Sequence, residues 1–215
     1  PEVVRAKLAD RLDNTLDMRI DLEDPLEGLD FFEIIFQILY NNSFKGHKAK
    51  VPHSSITAIN GADRLYQLFK NIVLMSLFRQ APGLKNDPIS NTLFEGLATA
   101  SMKEAQRITL HIFAYHEKSV PKCRNLLIET VKYVTSGGIE SVTAPTQSGQ
   151  LDGLMVSWFI VPSKTELKEK LANLYADKAL MFQASIAFIV IFLNFLTNKN
   201  FFVQGISSAG LKPAK

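Results

Sequence analysis

Cysteine and tryptophan occur once each in this 215-residue chain, and its nine prolines and eleven glycines form no Pro- or Gly-rich stretch. A single cysteine, Cys123, excludes an internal disulfide and fits a reducing compartment, cytoplasm or virion. The first residues lack the basic and then apolar pattern of a secretory signal. Catalytic signatures are missing too. There is no G-x-S-x-G elbow, no phosphate-binding P-loop, no G-x-G-x-x-G and no H-E-x-x-H. These absences remove the enzyme classes that such motifs mark and set the expectation of a protein that is not an enzyme and carries no cofactor. No internal repeat or low-complexity block is present either.

The remaining reactive residue types are sparse and poorly grouped. His111 and His116 stand five apart, which on one helix turns them away from each other by more than a quarter turn and makes a poor metal pair. Cys123 lies between Lys122 and Arg124, neighbours that lower a thiol pKa, yet the sequence assigns it no histidine partner. Asp21, Glu23 and Asp24 lack the glycine and spaced oxygens of a calcium loop and read as solvated acids. No metal site is expected.

What is present is charge asymmetry and helical periodicity. Residues 1–33 hold ten acids against four bases, a net −6, which leaves +9 for the rest of a chain whose total is +3. An acidic start on a basic body fits either a segment docked on a basic surface or a body that holds a polyanion. Apolar residues recur at helical spacing almost throughout. Val4, Leu8, Leu12 and Leu16 form one stripe, and Asp24-Pro25-Leu26-Glu27 reads as a helix start running to about Tyr40. Further helices are expected from Gly61 to about Arg79, from Asp87-Pro88 to about Ala98, and from a Ser101 to Glu104 capping box to about His116. Another runs from Val120-Pro121 to about Val134, where Ser136-Gly137-Gly138 stops it. Residues 139–149 read as a loop or hinge, and the apolar run Leu151–Val161 as a short helix.

The run from Ser163 to Asn198 reads as one long helix, opened by a second capping box, that changes character halfway. Its first half is amphipathic, whereas Ala179–Leu196 is apolar on nearly every side. Eighteen residues are the minimum for a bilayer span, but Gln183, Ser185 and Asn194 interrupt it, and burying an amide without a partner costs about 1–3 kcal/mol. A buried core or intersubunit helix is therefore favoured over a membrane span.

Together these features predict an all-α fold, seven to nine helices in a compact body that divides into two lobes if the hinge is real. An N-terminal arm helix (1–20) and a C-terminal arm (199–215) flank the body (21–198). Between the helices, Lys45, Lys48 and Lys50, with Phe44, His47 and His53, form a basic loop suited to a phosphate backbone. Arg64, Arg79, Lys103 and Arg107 extend the candidate nucleic-acid surface. In this organisation the chain resembles helical nucleocapsid or coat proteins: a body of this length, a modest basic groove, and arms that bind neighbouring subunits. The resemblance is one of architecture and implies a self-assembling protein that binds single-stranded RNA without sequence specificity. Copies would meet through Val4, Leu8, Leu12, Phe201 and Phe202. Two other classes remain open, a membrane-associated helical protein using residues 179–196 and a helical adaptor for another protein.

Overall fold

Helix boundaries follow local hydrogen-bonding chemistry. In the computed structural model, which describes residues 2–18, 30–41, 60–84, 86–117, 119–142, 151 and 154–211, the Asp30 carboxylate accepts the Phe32 and Glu33 N–H groups at 2.9 and 3.1 Å and opens α2 (Phe31–Tyr40). Asn60 does the same for α3 (Gly61–Gln80), Ser119 for α5 (Val120–Thr135) and Ser163 for α7 (Lys164–Ala176). Each side chain replaces a carbonyl that the first turn lacks. The remaining helices are α1 (Glu2–Asp17), α4 (Pro88–Tyr115), α6 (Leu154–Phe159) and α8 (Lys178–Thr197). A single 3-10 turn (Pro82–Leu84) and a hairpin of two-residue strands, β1 (Ile206–Ser207) and β2 (Gly210–Leu211), complete the described elements. The fold is all-α, with eight α-helices among the described residues.

The stop of α5 is a Schellman closure. Gly137 takes φ +84, its N–H bonds the Val134 carbonyl, and the Gly138 N–H reaches back to Tyr133. Gly138 also has no room for a side chain, since a Cβ there would lie 2.5 Å from the Tyr133 ring.

Two expected boundaries are corrected. Ser101 and Glu104 do not start a helix: α4 runs unbroken from Pro88 to Tyr115, and both residues sit inside it, fully buried. Their side chains face α3, where Asn71 donates to the Ser101 hydroxyl at 2.9 Å and Arg64 donates to Glu104 at 2.7 Å. Partners across a helix interface removed any need to cap. Conversely, the run Ser163–Asn198 is two helices. Asp177 ends α7, and its carboxylate accepts the Leu180 N–H at 2.9 Å to begin α8. The change from amphipathic to apolar is the point where the chain leaves the surface for the core.

Helix α8 is the hub. Thirteen of its residues, from Leu180 to Phe195, are buried, and it packs against α3, α4, α5 and α7. By length and composition it is the one described helix that could cross a membrane, yet 72% of its apolar window is covered by its own chain. Ser185 is satisfied by the Thr109 hydroxyl at 2.8 Å, while the Gln183 side-chain oxygen is buried without a hydrogen-bond partner.

Helix α1 and the segment 201–206 are both fastened to this body. The α1 stripe lies on α4 and α3, with Leu8 fully buried and Val4 and Leu12 packed beside it. Polar contacts hold the same interface: Arg5 makes two hydrogen bonds to Asp87 (2.7 and 2.6 Å), and Arg11 donates to Asn71 at 2.7 Å. Asn71 in turn donates to Thr15 at 2.9 Å. At the other end Phe201 is buried edge-on against Phe195, ring centroids 5.0 Å apart, and the Val203 N–H bonds Ser76. Gln204 exchanges backbone hydrogen bonds with Glu140 and Val142. Leu8 and Phe201, expected to face a neighbouring copy, are thus spent on their own chain, because the nearest apolar surface for each belongs to it. Phe202 is 38% exposed. Residues 143–150 of the expected hinge and Asp24–Glu27 lie outside the described residues, but the helix expected to run unbroken from Asp24 to Tyr40 is also corrected: it opens at Asp30, whose backbone is extended and whose carboxylate caps it.

Candidate cationic cleft

The first turn of α3, the last two turns of α4, the end of α7 and the start of α8 meet around a small cleft. Gly61 and Arg64 come from α3, Ile108, His111 and Ile112 from α4, His116 from just past its end, Tyr175 from α7, and Lys178 and Met181 from α8. No acid lines it. Its free volume is about 20 Å³, room for one water-sized group. The elements approach closely here: a Cβ at Gly61 would come within 2.5 Å of the Met181 methyl, the movable end of a flexible side chain.

The floor of the cleft is Arg64. It is buried and donates to Glu104 and to the Met18 carbonyl. An arginine so placed holds α1, α3 and α4 together and does not reach a phosphate outside, so the expectation for Arg64 as a surface contact is withdrawn. At the wall, the His111 ring lies tilted against its neighbours, its centroid 4.6 Å from that of Tyr115 and 5.7 Å from that of His116. The two histidines meet after all, because α4 ends at Tyr115 and the backbone turns at His116. Among the described residues no third ligand joins them to form a metal site. Lys178 bonds the Tyr175 carbonyl and lies over the Tyr175 ring, 3.2 Å from its centroid.

These bases disfavour one another's charge. Burial, then His116, Arg64 and Lys178, press the His111 pKa down to about 4. Burial and Lys178 lower His116, and burial lowers Lys178. The Nδ1 atom of His111 is buried and has no hydrogen-bond partner. Cys123 shows the reverse of its sequence reading: it is buried, and burial followed by Glu117 pushes its thiol up to about 12, which makes it inert despite Lys122.

The other expected contacts separate. Lys103 is exposed and Arg107 is 21% exposed beside Glu104, so that with His111 they follow one ridge of α4 into the cleft at four-residue steps, about 6 Å apart along the axis. Arg79 is fifteen residues from Arg64 on the same helix, about 22 Å away along its axis. There it donates to the Phe195 carbonyl at 2.6 Å and lies over the Phe94 ring, a packing role. Lys45, Lys48 and Lys50 lie outside the described residues. Sequence reasoning missed Lys178, whose signal was a charge retained at the very start of the most apolar helix.

A second exposed feature is the outer face of α2. Phe32, Phe36 and Tyr40 recur every four residues and are 59, 61 and 70% exposed, with Ile128 and Val131 exposed on the adjoining α5. No protein-family model, curated protein or solved structure matches this chain. What the fold and the cleft define is a class only: an all-α protein with a recess lined by bases and, among the described residues, by no acid.

Proposed function

We propose that this protein binds single-stranded RNA through its phosphate backbone and associates with copies of itself, in the manner of a nucleocapsid or coat protein. The observation that carries the reading is the ridge of the cations Lys103 and Arg107, continued by His111 into a recess lined by His116 and Lys178 with no carboxylate on its walls among the described residues. Backbone recognition needs cations in a row and no base pocket, and a recess of one water's volume accepts no base. The +9 carried outside the first 33 residues supplies the long-range attraction.

Fluorescence anisotropy with a short oligouridylate tests this. If about four phosphates are contacted, affinity falls roughly 50-fold between about 50 and 200 mM salt. Absence of binding at the lower salt overturns the proposal. Self-association is supported by the α2 face, whose three aromatics would each gain roughly 2 kcal/mol on full burial. Phe36→Ser should shift light-scattering mass toward the monomer, and an unchanged mass removes that face from the assembly.

A further inference from the structure

We propose that the recess between α3, α4, α7 and α8 is a binding site for a single phosphate group, held by Lys178, His116 and His111 above the Arg64 floor. The proposal rests on the RNA reading only for the source of the phosphate, a backbone phosphodiester.

Three basic side chains converge on the recess, His111 and His116 from α4 and its end and Lys178 from α8, and no acid among the described lining residues balances them. The carboxylates nearest in sequence are occupied elsewhere: Asp177 accepts the Leu180 N–H, Glu117 pairs with Lys122 at 2.6 Å, and Glu104 holds Arg64 and Arg107. Asp63, in the first turn of α3, is not on the wall. A tetrahedral anion offers several acceptor oxygens in different directions, which suits donors approaching from three sides. The free volume sets the pose. One oxygen enters, while sugar and base stay outside on the Lys103–Arg107 ridge.

Electrostatics supports the same ligand. His111 is faced by Arg64 from α3, by Tyr115 and His116 from its own helix end, and by Lys178 from α8, with Tyr175 of α7 beside Lys178. Burial, and for the two histidines like charges as well, holds these bases toward their neutral forms, and an incoming anion reverses the second effect. Binding should therefore take up protons and tighten as pH falls below about 6.5.

The test compares thermal melts of the full chain in inorganic phosphate and in chloride at equal ionic strength, near pH 6.5. Ligand that binds only the folded state raises Tm. The expected result is a Tm rise in wild type and in Lys168→Gln, an exposed lysine on α7, that is lost in Lys178→Met and His116→Gln. His116 lies at an exposed helix end, so its variant keeps the test valid if Lys178→Met folds poorly. In parallel, Lys178→Met should weaken oligouridylate binding about 5- to 10-fold and reduce the salt slope by about 0.7, one phosphate's worth. A phosphate-dependent Tm rise without any RNA binding upholds the site with free phosphate as its source and sinks the RNA reading. RNA binding that is indifferent to Lys178→Met and His116→Gln, with no phosphate effect on Tm, overturns the site and leaves the RNA reading intact.

Discussion

Helices α3 and α4 build two polar clusters within two turns of each other, and the two are opposites. In the first, Arg64 meets Glu104, and Asn71 links Arg11, Thr15 and Ser101, so opposite charges pair and donors meet acceptors, with the second Glu104 oxygen buried 4.0 Å from Arg107 and without a hydrogen bond. In the second, His111, His116 and Lys178 meet with no acid on the cleft wall among the described residues and with the His111 Nδ1 atom left without a partner. The closed cluster acts as architecture: it joins α1, α3 and α4 at a fixed register. The open one leaves a buried ring nitrogen unpaired and its bases unbalanced by acid among the described residues, a polar group that packing alone does not account for.

The contrast can be broken first at the closed cluster. Glu104→Ala leaves the Arg64 guanidinium buried without its carboxylate and should cost about 3–5 kcal/mol in urea unfolding, whereas the double change Arg64→Met with Glu104→Leu should cost far less. A loss of under 1 kcal/mol in Glu104→Ala would show that water reaches the pair. Asn71→Ala, which strips partners from Arg11, Thr15 and Ser101, should cost about 2 kcal/mol, read as an earlier denaturation midpoint with an unchanged slope.

The smallest effect is expected from acid at the open cluster. His111 folds with a pKa of about 4 against an ordinary 6.5, so the unfolded chain binds its proton more readily. The stability this contributes is complete above about pH 6.5 and is lost as pH falls toward 4. His111→Gln should flatten the pH dependence of Tm across that window, and phosphate should flatten it in wild type by favouring the protonated site. Equal slopes in wild type and His111→Gln would place the acid sensitivity elsewhere.

How far this was legible from sequence depended on the range of the interaction. Ser163 and the Ser136-Gly137-Gly138 stop marked true helix ends, because a cap acts on backbone groups three or four residues away, and Asp87-Pro88 marked another through the proline in its first turn. Ser101-Met102-Lys103-Glu104 carried the same letters as a cap and meant something else, since its partners Asn71 and Arg64 lie thirty and forty residues earlier. Arg64 and Arg79 looked like surface cations for the same reason: nothing nearby reveals the Glu104 carboxylate or the Phe195 carbonyl that engages each. The cleft was invisible because α4 and α8 contribute to it from distant parts of the chain.

By itself the sequence determined the fold class, the burial of Ala179–Leu196 and most helix ends, because periodicity and capping are properties of neighbours along the chain. Only the tertiary structure decided that α1 and the C-terminal segment lie on their own body, that Asp177 breaks the last long run, and which bases are spent on a partner. Those outcomes depend on which surfaces meet and on what charge each buried group finds there, and both are set by residues far apart in the chain.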